Sequence, residues 1–196
     1  MLHRDRRLKG TLVRGTDGDL GVVEGLYFDE KDWTVRHLII GRDKALKEGS
    51  VLVSPTSIRP NWNIAMLVAN IGQREIRDSA EVGGDADLRP TRPASGQTRN
   101  TDQLMGFHLK ATDGDIGHVD DLLIDEASWR ICYLVVDTSN WIGGKWVAVV
   151  PSVLRSIDWT DRTIEVAITR DEVKRSPEMD AMPVPSAETM PPFVLM

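Results

Sequence analysis

Apolar residues along the chain fall in short runs rich in Val, Ile and Leu, and the runs are separated by stretches carrying Gly, Asp and Ser. Runs of this length with β-branched content predict strands rather than helices. In the C-terminal half they predict strands near 105–111, 116–124, 129–136, 146–150, 154–159 and 163–168. The "TDGD" at 112–115 turns the first of these into the second, and the "EASW" at 126–129 turns the second into the third. "TRDE" at 169–172 has the spacing of a capping box, with Thr169 as N-cap and Glu172 reaching back, opening a short helix that Pro177 stops. Short antiparallel strands in so small a unit suggest a closed barrel, because closure removes edges that would otherwise aggregate.

The pattern occurs twice. Shifting the chain by 96 positions lays residues 8–40 over 104–136 without a gap, and 13 of the 33 positions are identical. The match resumes with "VLVSP" (51–55) over "VAVVP" (147–151), and after one extra residue "IRDSAEV" (76–82) falls on "VKRSPEM" (173–179). Self-similarity of this extent marks a duplicated folding unit. The expected organisation is a first copy over 1–82, a flexible linker over 83–103, a second copy over 104–180 and a Pro/Met-rich tail over 181–196. Trp33 and Trp129, Leu26 and Leu122, Leu38 and Leu134, and Pro55 and Pro151 occupy equivalent places and read as core. The first copy has Gly72 where the second has the capping Thr169, which predicts a looser final turn there.

Composition narrows the class. The 196 residues are 41% hydrophobic with a formal net charge of −6, enough apolar content for two small globular units and no general field for polyanions. Nucleic acid is therefore an unlikely partner by charge, although "HRDRRLK" (3–9) is a local basic cluster, expected to be a solvated arm. The single cysteine, Cys132, rules out an internal disulfide, and no run approaches the roughly 20 apolar residues of a spanning helix. A cytoplasmic protein with no transmembrane segment is the expectation.

The densest candidate chemistry is "ATDGDIGHVDDLLIDE" (111–126), with six carboxylates and His118. Its spacing is not that of a calcium loop: Gly114 stands second, and the twelfth position from Asp113 is Ile124. The repeat retains Asp17, Gly18, Asp19 and Gly21 opposite Asp113, Gly114, Asp115 and Gly117, but puts Val22 opposite His118, Gly25 opposite Asp121 and Leu12 opposite His108. What persists is what a tight turn needs, and what a metal or catalytic site would need does not. No Gly-x-Ser-x-Gly elbow occurs, Cys132 is matched by Arg36, and "IGGKW" (142–146) lacks the remainder of a phosphate loop. The expectation is no catalytic residue, no metal and no cofactor. The most partner-like stretch is "NWIGGKW" (140–146), in which Trp141, Ile142, Lys145 and Trp146 would present apolar area beside glycines.

Taken together, "GFHLKATDGDIGHVDD" (106–121), "WRICYLVVDT" (129–138), "NWIGGKWVAVVP" (140–151) and "TRDEVKRSP" (169–177) resemble the PRC-barrel family, typified by the cytoplasmic domain of the photosynthetic reaction-centre H subunit. The duplicated chain is similar to the bacterial tandem version of that family. The first copy departs from the pattern, with "GRDKALKEGSVLVSP" (41–55) in place of the Asp-Thr-aromatic-Gly-Gly stretch. The resemblance implies an all-β fold of two small antiparallel barrels, each ending in a short helix or turn, that docks onto other macromolecules without chemistry of its own. It makes a protein-protein interaction or assembly module the leading expectation, with self-association of the barrels included. A ribosome-associated or RNA-processing factor and a peripheral partner of a membrane photosynthetic or electron-transfer complex are the alternatives.

Overall fold

The computed structural model describes residues 1–41, 50–61, 65–75, 97–138 and 145–175. Trp141 and Ile142, the helix stop at Pro177, most of the expected linker and the expected tail lie outside these residues. The described chain is all-β in class and divides into two units, one formed by Arg7–Asp102 and the other by Met1–Arg6 with Gln103–Met196. They are called the first and second unit after the sequence copy each holds.

In the second unit the strands are β9 (His108–Ala111), β10 (Gly114–Asp125), β11 (Ile131–Asp137), β12 (Trp146–Val149), β13 (Leu154–Asp158) and β14 (Thr163–Val166). These lie where the apolar runs placed them. Their hydrogen-bonded order is β12-β11-β10-β9-β14-β13, and the two ends of this path are joined through the chain by a 3-10 turn at Pro151–Val153. The β9–β14 pairing is parallel and the others are antiparallel. The first unit repeats the plan with β2 (Leu12–Gly15), β3 (Gly18–Asp29), β4 (Thr34–Gly41), β5 (Val51–Val53), β6 (Ile58–Asn61) and β7 (Met66–Ala69), in the order β5-β4-β3-β2-β7-β6.

Two further strands were not legible as apolar runs. β1 (Leu2–Arg4) pairs with β10, and β8 (Thr98–Asn100) pairs with β3, so each sheet has seven strands. The expected solvated arm is therefore strand β1 followed by the single helical turn α1 (Asp5–Leu8), and the last part of the expected linker is β8 followed by a 3-10 turn at Thr101–Leu104. The reason is physical. A three-residue strand paired on one edge is too short to show a period of two, even where, as at Leu2, one of its side chains is buried.

Burial agrees with the repeat at the paired leucines, whereas Trp33 and Pro151 of the expected core are only half-buried. Leu26, Leu38, Leu122 and Leu134 are fully buried, as are Val13 and Leu109 on the equivalent strands β2 and β9. Each such side chain contributes about 1.5–3 kcal/mol, so a handful is a large share of the stability of units this small. Trp129 is buried, while Trp33 is half-buried and stacks on Phe28 with ring centroids 5.3 Å apart. Both tryptophans have positive φ, 59° and 56°. The exceptional conformations at Gly10 and Gly106, Gly18 and Gly114, Gly21 and Gly117, and Ala65 and Arg162 are likewise duplicated. Backbone positions this costly for L-residues recur only where the fold dictates them.

Helix α2 (Arg170–Lys174) carries the expected capping box: Thr169 Oγ1 accepts from Glu172 N, and Glu172 accepts from Thr169 N at 2.6 Å. The first unit's counterpart, helical over 73–75, is not left uncapped by the loss of the threonine. Asp17 accepts from Gln73 N at 2.5 Å and from Arg74 N at 3.3 Å, while Glu75 accepts from Gly72 N at 2.7 Å. Asp17 and Glu75 are the counterparts of Asp113 and Glu172, which make the same bonds in the second unit, so the carboxylate part of the cap is retained, and Asp17 also reaches Arg74 N where the hydroxyl is missing.

Candidate interaction surface

The acidic stretch 111–126 is built into the fold rather than converging on a ligand. Asp113 accepts from Arg170 N at 2.7 Å, fastening the β9–β10 turn to the start of α2, as Asp17 fastens the equivalent turn in the first unit. Gly117 and Gly21 lie where the long strand crosses its neighbour: a Cβ would fall 1.9 Å from the Asp137 carbonyl oxygen and 2.0 Å from that of Gly41, respectively. Asp121, only 1% exposed, accepts from Arg6 Nε at 2.6 Å and from Leu122 N at 2.9 Å, and Asp120 takes the other side of the same guanidinium. Although burial works against its charge, those two carboxylates hold Arg6 above its ordinary value. Asp125 accepts from Ser128 N and Oγ, and these bonds outweigh burial to keep its carboxyl below the usual range. Glu126 is engaged by His3 Nε2 at 2.8 Å. His118 stands 3.9 Å from Asp137 and directly across from the exposed His108. Among the described residues, no group of three or more His, Cys, Asp or Glu side chains is placed to hold a metal ion.

Most of the basic cluster is similarly committed. His3 is on Glu126, Arg6 on Asp120 and Asp121, and Lys9 on Asp102. Cys132 is half-buried, and burial pushes its thiol up, away from a reactive thiolate.

Of the aromatic stretch, Lys145 and Trp146 are described. Lys145 Nζ donates to the Lys174 carbonyl at 2.8 Å, and its own carbonyl accepts from Thr138 N and Oγ1, so it ties the start of β12 to α2. Trp146 packs half-buried against Leu2, Leu123, Tyr133, Val135 and Ala148. Pairing puts Leu123 opposite Tyr133 and Val135 opposite Ala148, whereas Leu122, Leu134 and Val149 line the other face. The β10–β11–β12 sheet is thus apolar on both faces. The Trp146 indole N–H is buried without a hydrogen-bond partner among the described residues.

A surface not singled out from sequence lies on the first unit. Val22, Leu12 and Met66 stand side by side across β3, β2 and β7, and Val68 follows on the same face of β7. Val22 is 40% and Val68 39% exposed, with Leu12 and Met66 intermediate. The equivalent register positions of the second unit are His118, His108, Thr163 and Glu165, all polar. The signal was present in the repeat, where Val22 and Leu12 face two histidines. Read for the histidines it spoke against a site, whereas read for their partners it marks an apolar row that the fold does not require.

Among the described residues, the carboxylates of 111–126 serve turns and ion pairs, and exposed Val22 and Val68 share one sheet face. No family model matches it, and no curated protein does. Among the described residues, no helix is long and apolar enough to cross a membrane.

Proposed function

We propose that this chain is a non-enzymatic protein of the PRC-barrel type that acts as a protein-binding or assembly module. The observation that carries the reading is the row Leu12–Val22–Met66–Val68: four apolar side chains on the outer face of a regular sheet, at register positions that are polar in the sister unit. A fold that builds the same face from His, Thr and Glu has no internal need of Val and Met there, so the apolar choice fits a partner. The 140–146 stretch, with Trp141, Ile142, Lys145 and Trp146, is the second proposed contact, on the other copy. The engagement of Arg6 and Lys9 by carboxylates favours a protein partner over an RNA or membrane one, since those two cations already have anionic partners.

The test is crosslinked affinity capture from the native host with Val22→Asp/Val68→Asp, using His118→Val as the matched change on the sister face. The expected result is loss of the captured protein with the aspartates and retention with the control. Equal capture by all three would overturn the assignment of the face. Size-exclusion with light scattering on the same variants reports whether the partner is a second copy.

A further inference from the structure

The offset of 96 that aligns the repeats also places Leu2–Arg4 over Thr98–Asn100 and Arg6 over Asp102. These lead segments are traded. β1 precedes the first copy but belongs to the unit of the second, and β8 precedes the second copy but pairs with β3 of the first. The registers are the same: Leu2 lies opposite Asp125 and Arg4 opposite Leu123, and Thr98 lies opposite Asp29 and Asn100 opposite Tyr27. Either segment could therefore enter either edge by backbone pairing alone. The side chains must decide.

We propose that the edge of β10 that pairs with β1 is a docking site for one segment, the Leu-x-Arg-x-Arg lead of the first repeat, and that two charge pairs specify it over the second repeat's own lead. Arg6 meets Asp121, whose carboxylate is buried, and Lys9 meets Asp102. In a self-paired arrangement Asp102 would take the place of Arg6 against Asp121, and Arg6 would take the place of Asp102 against Lys9. Both attractions become like-charge contacts, and the one at Asp121 falls on a carboxylate that is itself buried. Apolar matching points the same way. Leu2, 0% exposed, fills a slot among Leu123, Tyr133, Val135 and Ala148, where self-pairing would put the hydroxyl of Thr98. Gly25 stands opposite Asp121 in the repeat and has Asn100 near it, so of the two carboxylates that hold Arg6 the first unit's edge retains only the counterpart of Asp120, Glu24, which accepts from Ser50, and lacks the buried one. The halves of the chain thus recognise each other by a code of attraction where exchanged and repulsion where not.

The test keeps the full chain. A protease site inserted between residues 83 and 96 is cut after folding, and native mass spectrometry with size-exclusion chromatography follows the two fragments. The expected result is a 1:1 complex of wild-type fragments. Arg6→Asp should raise their Kd about a hundredfold, since it leaves the buried Asp121 beside another carboxylate. The charge-exchanged Arg6→Asp/Asp102→Arg chain should favour self-pairing. Uncut, it should regain part of the Tm that Arg6→Asp alone loses, and once cut its fragments should separate. Wild-type fragments that part on cutting would overturn the proposal. So would a double variant that behaves as the sum of its single changes.

Discussion

Replacing Gly117 by alanine tests the reading of the repeated Thr-Asp-Gly-Asp-x-Gly stretch as a fold device. Gly117 has φ of 157°, and an added Cβ would lie 1.9 Å from the Asp137 carbonyl oxygen of the paired strand; Gly21 has φ of 138° and a Cβ 2.0 Å from the Gly41 oxygen. Such a contact has no flexible side chain to absorb it, because both atoms are backbone. The strands must part by about an ångström, which costs about 1–3 kcal/mol in forced displacement. The disfavoured φ adds about 1–3 kcal/mol. The sum, about 2–6 kcal/mol, is comparable with the whole stability of a small unit. Gly10 supplies the control: its φ is 79° but nothing lies within 4 Å of a Cβ there, so alanine meets only the conformational term, about 1–2 kcal/mol. Urea unfolding followed by tryptophan fluorescence on Gly117→Ala, Gly21→Ala and Gly10→Ala gives the three costs. If Gly117→Ala loses no more than Gly10→Ala, close approach of the strands is not what the repeated glycine serves.

Other outcomes follow from the same contacts. Leu2→Ala, at a fully buried position in β1, should cost about 2–5 kcal/mol by urea titration, a value no solvated arm would show. Trp146→Phe removes a buried N–H that lacks a partner and should change stability by less than about 1.5 kcal/mol, while Trp146→Ala should cost more than about 2 kcal/mol. The carboxyls of Asp125, Asp32 and Glu172 sit below their ordinary values. For Asp125 and Asp32 hydrogen bonds outweigh burial, and for Glu172 the bond from Thr169 N is the leading cause. A depressed folded-state value means the stabilisation is present above the ordinary carboxylate range and is lost as pH falls through the lowered one. The denaturation midpoint should therefore hold above about pH 5 and fall below about pH 4, and Asp125→Asn should lower it at neutral pH while flattening the acid slope.

Much of the architecture was legible because it is local. Apolar runs gave the positions of β9 to β14, Asp-Gly-Asp gave the turns, and Thr169 with Glu172 gave the cap of α2, each within a few residues of its cause. Internal comparison then separated the persistent Asp113, Gly114, Asp115 and Gly117 from the solitary His118. The candidate surface was only half legible. Val22 and Leu12 were visible as substitutions, but not that they line up with Met66 and Val68 across three strands, since register between β2 and β7 is a tertiary fact.

Local sequence was enough to show two copies of one β-rich unit, where the strands and turns of the second fall, and that the carboxylate-rich stretch belongs to a turn. Periodicity and turn chemistry act over a few residues, and duplication doubles the signal. The tertiary structure alone decided that Asp17 caps a helix 56 residues away, that Leu2–Arg4 completes the sheet of the second copy, and that Thr98–Asn100 completes that of the first. Those choices rest on buried charge, backbone pairing and fit between distant segments. A short polar strand announces none of these in its own sequence.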